Sequence, residues 1–145
     1  MESHHHHHQH YDLGLVVDVK RHHHHHTRRV YRLYANARIK IMTDVTVGHI
    51  VTDTIAYLDQ NGNPMQVTPI PDSPPTWSKV ADDTIDTLVV SADGSQATIT
   101  AVGAGQDSVS LSVTVGGVTF AATQQLNVQA APQVLTSVAI VAAVA

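Results

Sequence analysis

Apolar and polar residues alternate with the period of a β-strand in the second half of the chain. From Val109 to Val115 every second residue is Val or Leu, with Ser or Thr between them, which predicts a strand with one buried face. Gly116-Gly117 follows as a two-residue hairpin signal. The alternation then resumes at Val118, Phe120, Ala122, Leu126 and Val128. The pattern therefore predicts a hairpin that packs on a hydrophobic core.

The rest of the pattern predicts short strands separated by turns and no helix of convincing length. The strands are expected near residues 43–48, 50–58, 65–68, 76–80, 85–91, 96–102, 107–115 and 118–128. Turn residues occupy 59–64, 92–95 and 103–105, and four prolines between 69 and 75 predict an irregular connection. Strands of this length and spacing are typical of a sandwich or a barrel.

Composition narrows the classes of protein that the chain can belong to. Its 145 residues suffice for one domain plus an extension, and 43% of them are apolar but only 4% aromatic, so Val, Ile, Leu and Ala must form the core. The absence of cysteine excludes disulfides, thiolate metal sites and a cysteine nucleophile. Residues 134–145 are too few to cross a bilayer, and no export signal is recognisable, so a soluble chain is expected.

Charge divides the chain into two unlike parts. Residues 1–41 carry seven Lys/Arg against three Asp/Glu (+4), whereas residues 42–145 carry Lys79 alone against nine (−8). Eleven of the twelve histidines lie in the first 26 residues. We therefore expect a His-rich basic leader over 1–41, a sandwich over 42–130 and a C-terminal extension or exchanged strand over 131–145. Met42 would be the natural start if the leader is a tag or another non-native extension.

Several stretches together resemble a bacterial immunoglobulin-like domain of group 2. They are Tyr57 to Met65 (YLDQNGNPM), Thr76-Trp77-Ser78, Leu88 to Gly94 (LVVSADG), Thr98 to Gly105 (TITAVGAG) and Val109 to Val115. The resemblance covers roughly residues 43–130 and departs from the family between Lys79 and Thr87, where the chain is acidic. It implies an all-β, immunoglobulin-like Greek-key β-sandwich, here with an extended N-terminal arm.

The resemblance also implies where such a domain works. The family occurs in surface adhesins and in phage virion proteins, and it implies no shared active site. The segment from Val134 to Val141 (VLTSVAIV) resembles the opening strand of a further domain of this kind. Such a strand either pairs with its own sheet or adds to the sheet of a neighbour.

The leader offers two candidate chemistries. The runs His4 to His8 and His22 to His26 are dense enough to bind Zn²⁺, Ni²⁺ or Cu²⁺, but a homopolymeric run lacks the spacing of a folded metal site and is typical of a tag. Basic residues interleaved with Tyr31 and Tyr34 are suited to phosphates and bases, or to an acidic protein surface. They are Arg28, Arg29, Arg32, Arg38 and Lys40. The −8 part of the chain favours the acidic protein surface, including that of a second copy.

Two acidic groups in the domain are candidate cation ligands. Asp59, Asn61 and Asn63 imitate the start of a calcium loop, but Gly62 comes too early and Ile70 stands where the loop needs glutamate, so we interpret them as a turn. A second group could hold a hard cation or form a solvated loop. It comprises Asp82, Asp83 and Asp86.

No combination of residues predicts catalysis. A nucleophile needs an adjacent base, and His49 is the only histidine of the domain, so no triad is indicated. Trp77 is interpreted as an anchor in the core or between the sheets rather than a sugar-stacking platform. We assign no catalytic, cofactor-binding or metal-ligating residue and expect no cofactor.

The sequence therefore predicts a non-enzymatic structural protein. The narrower hypothesis is a phage capsid decoration or other virion surface component, bound through β-surfaces and extended termini to capsid or virion protein and to copies of itself. The alternative is a bacterial surface adhesin or carbohydrate-binding immunoglobulin-like module at the cell surface, with a glycan as partner. Neither nucleic acid nor membrane is an expected partner. A metal-binding protein that uses the histidine leader is a further rival.

Overall fold

The computed structural model describes residues 12–20, 26–59, 61–135 and 137–144, and these form nine β-strands. The strands are β1 (Asp12–Lys20), β2 (His26–Leu33), β3 (Arg38–Thr46), β4 (Ile50–Leu58), β5 (Thr76–Lys79), β6 (Asp86–Val90), β7 (Gln96–Ala101), β8 (Gly105–Val115) and β9 (Val118–Gln129). Within the described ranges, no helix has the length and apolar character needed to cross a membrane.

The strands form two sheets. One has the order β2-β1-β4-β7-β6 and the other the order β3-β9-β8-β5. All paired strands are antiparallel except β3 and β9, which run parallel. Because β4 lies beside β7 and β3 beside β9, the chain passes between the sheets in a Greek-key arrangement. The fold is an immunoglobulin-like β-sandwich, as the sequence predicts.

The predicted hairpin forms with its predicted register. Residues Gly105 to Val115 of β8 pair with Val118 to Val128 of β9. Gly116 and Gly117 join the two strands at φ 57° and 79°, values that favour glycine and match a type I′ turn. Val109, Leu111, Val113 and Val115 are all at most 3% exposed, so the alternation identified the buried face correctly.

The N-terminal part of the chain differs from the extended arm expected over residues 1–41. Its described residues form β1, β2 and the first part of β3. Strand β1 is an interior strand, since it pairs over eight positions with β2 and over nine with β4. Leu13, Leu15 and Leu33 are at most 1% exposed and belong to the core. The apolar alternation of these strands is real, and hydrophobic burial holds them in the sandwich.

Two further expectations concern the connection before β5. Residues 65–68 form no strand, and the structure instead has a single bridge between Leu58 and Pro64, so the strand predicted there was wrong. Trp77 in β5 packs against the core, and its Nε1 donates a hydrogen bond of 2.8 Å to the carbonyl of Gly94. Gly94 lies in the turn between β6 and β7, in the other sheet. Trp77 therefore ties the two sheets together, as interpreted from the sequence.

Candidate functional site

A buried cluster of charges lies where β5, β6 and β8 meet. The Lys79 ammonium is 2.9 Å from Oδ1 of Asp83 and 3.6 Å from Oδ1 of Asp86. It also donates hydrogen bonds to the carbonyls of Ala81 (2.8 Å) and Asp86 (3.1 Å). The sequence left a hard-cation site and a solvated loop open for these carboxylates, and in the structure the Lys79 ammonium lies beside Asp83 and Asp86. We therefore interpret the cluster as structural.

Asp107 completes this cluster from the start of β8. Its Oδ1 accepts hydrogen bonds from the backbone N–H groups of Val80, Ala81 and Ser108. Burial acts to raise its pKa, but the hydrogen bond with Asp86 and these backbone donors outweigh burial and lower it. Burial raises the pKa of Asp86, and Asp107 raises it further, whereas Lys79 lowers it. Asp86 therefore keeps its proton to a higher pH than Asp107.

Replacement of Lys79 by Met should destabilise the protein by about 1–3 kcal/mol, because the carbonyls of Ala81 and Asp86 would lose their hydrogen-bond donor and the Asp86 carboxyl would lose its cation. Asp83→Asn removes the other carboxylate of the same lysine and is the matched control, with an expected cost below about 1 kcal/mol because Asp83 is 80% exposed. Urea unfolding at pH 7 measures both. Equal costs for the two variants would contradict the assignment of a buried ion pair.

The other acidic residues singled out in the sequence are used in turns. Oδ1 of Asp59 accepts hydrogen bonds from the backbone of Asn61 (2.8 Å) and Asn63 (2.9 Å), and Ile70 is 86% exposed. This geometry confirms the interpretation of residues 59–63 as a turn. Asp82 binds both the backbone and the hydroxyl of Thr84, which lowers the pKa of Asp82. No group of three or more potential metal ligands occurs in the described part of the chain.

Three polar side chains, those of Thr43, Asp53 and Gln124, lie in the core where β4 of one sheet faces β3 and β9 of the other. Asp53 is fully buried, and Gln124 donates a hydrogen bond of 2.9 Å to the hydroxyl of Thr43. Burial raises the pKa of the Asp53 carboxyl to about 7, and the neighbouring Gln124 side chain opposes part of this rise. Thr43 also lines a cleft of about 190 Å³ between β2 and β3, together with Arg29. This cluster was not predicted from the sequence. The feature that could have revealed it is a polar residue at an inward-facing position of a strand in which apolar and polar residues alternate.

The outer edges of the sandwich carry charges of opposite sign. β2 and β3 are the edge strands on one side, where Arg28, Arg29, Arg32, Arg38 and Lys40 are exposed. We call these five residues the basic side. β5 and β6 are the edge strands on the other side. The exposed residues of the loops that flank them include Asp72, Asp82, Asp83 and Asp93, which we call the acidic side.

The end of the chain leaves the sandwich after β9. Residues 130–135 and 137–144 join neither sheet and are exposed throughout. Large apolar side chains in this C-terminal segment (residues 130–144) are 77–98% exposed, and they are Val134, Leu135, Val138, Ile140, Val141 and Val144. An apolar surface of this kind is typical of a protein-binding element.

Most histidines of the leader lie outside the part of the chain that the structure describes. Residues 1–11 and 21–25 lie outside the described residues, and they hold ten of the histidines proposed for metal binding. His26 opens β2, opposite Lys20 at the end of β1. Tyr31 packs against the core, while Tyr34 is 54% exposed and lies beneath the Arg32 guanidinium at 5.9 Å. The aromatic residues are therefore not arranged as one stacking surface.

Fold and surfaces together define an immunoglobulin-like sandwich with two oppositely charged sides and an exposed apolar C-terminal segment. No protein-family profile matches the chain. No curated protein sequence matches it either. A solved structure similar to it is "Crystal structure of the S-layer protein SbsC domains 4 and 5", at a TM-score of 0.40 and 15% identity. The similarity covers 70% of this chain and spans 58% of that chain, and at this level it carries no argument about function.

Proposed function

We propose that this chain is a non-enzymatic structural module that joins a surface assembly by adding its C-terminal segment to a sheet edge of another β-sandwich. The observation that carries the proposal is the exposure of the C-terminal segment, in which Ile140 and Val141 are 95% and 93% exposed. An unpaired apolar segment with strand-like composition can bind by strand addition, in which backbone hydrogen bonds give affinity and side chains give specificity.

Chemistry inside the sandwich supports a structural role over an enzymatic one. The charged residues Lys79, Asp86 and Asp107 bind one another and the nearby backbone. The outward residues of β8 and β9 include Ser and Thr that bond across the strands, such as Thr114 and Thr119 at 3.0 Å. Binding through surfaces is therefore the favoured activity.

The setting of the assembly is the narrower part of the proposal. A phage capsid decoration or other virion surface component, bound to virion protein, follows from the sequence resemblance alone. The alternative from the same resemblance is a bacterial cell-surface adhesin or glycan-binding module. Binding of the purified chain to phage particles supports the first setting, and binding to a glycan array supports the second.

Strand addition is tested with proline in the C-terminal segment. We expect the full chain to bind an immobilised chain that ends at Gln129, which retains all nine strands, in 500 mM NaCl and a metal chelator. Val138→Pro and Ala139→Pro are made singly because alternate N–H groups of an added strand face its partner, and proline removes the N–H. At least one of them should weaken binding about tenfold or more, because each lost backbone bond costs about 1 kcal/mol and proline also distorts the strand.

Ala139→Ser is the matched control, since it keeps the N–H and should bind as the original chain does. Residue 139 lies outside both sheets, so all variants should unfold at the same urea concentration as the original chain. Equal binding by the proline variants and the serine control would overturn strand addition as the mode of attachment.

A further inference from the structure

The basic side is built by the strand order rather than by the sequence alone. β2 ends one sheet and β3 ends the other, and both lie on the same side of the sandwich. The five exposed basic residues, Arg28, Arg29 and Arg32 of β2 and Arg38 and Lys40 of β3, therefore all belong to the two edge strands of this side. Carboxylates also occur on these strands, among them Asp44 on β3 and Asp18 on β1, which lies opposite Arg28. The side keeps an excess of positive charge.

The acidic side lies at the opposite edge of both sheets, where β5 and β6 are the edge strands. Asp72 precedes β5, Asp82 and Asp83 lie between β5 and β6, and Asp93 follows β6. Lys79 compensates part of this charge through its 2.9 Å ion pair with Asp83. Side-chain and backbone hydrogen bonds from Ser91 and Ser95 hold the carboxylate of Asp93 in place. The negative charges are therefore fixed in position and exposed to a partner.

Apolar residues accompany the charges on both sides. On the basic side, Val30 on β2, Tyr34 just after β2 and Met42 on β3 are 54–63% exposed. On the acidic side, Val80 just after β5 is 83% exposed and Val89 on β6 is 66% exposed. Apolar surface with complementary charge around it is the usual composition of a protein interface. Each side also consists of the two strands at one edge of the described sheets.

We infer that copies of this chain associate side by side, with the basic side of one copy docked on the acidic side of the next. The occupant of the basic side is thus a second copy of this chain. Because the two docking surfaces differ, the contact is head-to-tail, and a docked pair keeps one free basic side and one free acidic side. Such an interface builds open rows of molecules rather than closed dimers. The inference rests on the proposed structural role and adds a lateral contact that does not use the C-terminal segment.

The first test is the salt dependence of self-association, measured by sedimentation velocity at pH 8 with a metal chelator. The chain carries Ala139→Pro together with Val138→Pro, so that strand addition does not contribute. We expect species larger than dimers in 50 mM NaCl and at least a tenfold weaker association in 500 mM NaCl, because salt screens charges across a solvated interface. Absence of association in 50 mM NaCl would overturn the inference.

The second test blocks one side at a time. Arg38→Glu with Lys40→Glu weakens the basic side, and Ser73→Lys with Ala92→Lys weakens the acidic side beside Asp72 and Asp93. All four positions are exposed. Each double variant alone should be monomeric. An equimolar mixture should form pairs and stop there, because each variant keeps one intact side and the two intact sides are complementary.

A matched control places charge away from both sides. Asn61→Glu with Gln66→Glu adds two negative charges at exposed positions after β4, the central strand of the five-stranded sheet, and self-association should continue. Association that survives both blocking variants would overturn the inference, as would a mixture that stays monomeric. Heparin serves as the probe for an anionic polymer. If the basic-side variant loses heparin binding but keeps self-association, the occupant is a polyanion and the second copy is excluded.

These results separate the lateral contact from the proposed function. If the proline variants lose strand addition in 500 mM NaCl while the charge variants change nothing, the function stands and the lateral contact falls. If the charge variants behave as expected and the proline variants bind normally, the lateral contact stands and strand addition falls.

Discussion

Removal of residues 1–41 is expected to abolish folding of the remaining chain. The deletion removes β1, β2 and the start of β3, and with them seven of the 22 buried hydrophobic residues of the described structure. The seven are Leu13, Leu15, Val16, Val17, Val19, Leu33 and Ile41. Burial of a Val or Leu contributes about 1.5–3 kcal/mol, so the loss is about 10–20 kcal/mol. That loss equals or exceeds the whole stability of a typical domain, which is about 5–15 kcal/mol.

Circular dichroism with urea unfolding measures this result. The chain of residues 42–145 should show no cooperative transition, because β4 also loses its nine register pairs with β1. Removal of residues 1–10 is the matched control and should leave the transition midpoint unchanged, since β1 begins at Asp12. A cooperative transition of residues 42–145 at the midpoint of the full chain would contradict this account and support a separate leader.

Replacement of Asp53 by Asn is expected to stabilise the protein at pH 8 by about 4 kcal/mol and to have almost no effect at pH 4. The folded-state pKa of Asp53 is raised by burial from 3.8 to about 7, so the folded state holds a proton that the unfolded chain releases. The free energy of unfolding therefore falls as pH rises from about 4 to about 7. The introduced asparagine carries no charge, and its amide is able to take the place of the protonated carboxyl beside Gln124.

Urea unfolding at intervals between pH 4 and pH 8 tests this expectation. The original chain should lose stability over this range, and Asp53→Asn should remove about half of that loss, leaving the part due to Asp86. Asp44→Asn is the control, because Asp44 is exposed on β3. A pH dependence that is the same with and without Asp53 would show that its carboxyl is not shielded from solvent.

The alternation of apolar residues was sufficient to predict part of the fold. It located β8 and β9 with their register, because Val109 and Phe120 point inward and the Gly116-Gly117 turn fixes the pairing. It missed β1, although Leu13, Leu15 and Val17 also alternate, because the adjacent histidine runs give the leader the composition of an unfolded arm. Burial in the sandwich outweighs that composition.

The basic side and the buried polar cluster could not be predicted, because each depends on which strands, distant in the sequence, lie next to each other in the fold. Arg29 and Lys40 are visibly basic, but only the order of the strands places β2 and β3 on one side of the sandwich. Asp53 and Gln124 interrupt apolar alternation, and the interruption is visible in the sequence, yet the two residues meet only because β4 and β9 lie in facing sheets. The exposure of Val138 likewise follows from the path of the chain after β9.

Native-state hydrogen exchange of β1 tests the central claim most directly, because both the core and the basic side require β1 and β2 to belong to the sandwich. The backbone amides of Leu15 to Val19 lie between β2 and β4, so their protection should match that of Val51 to Ile55 in β4 and report global unfolding. Exchange of the β1 amides at the rate of an unstructured peptide, while those of β4 stay protected, would contradict the account.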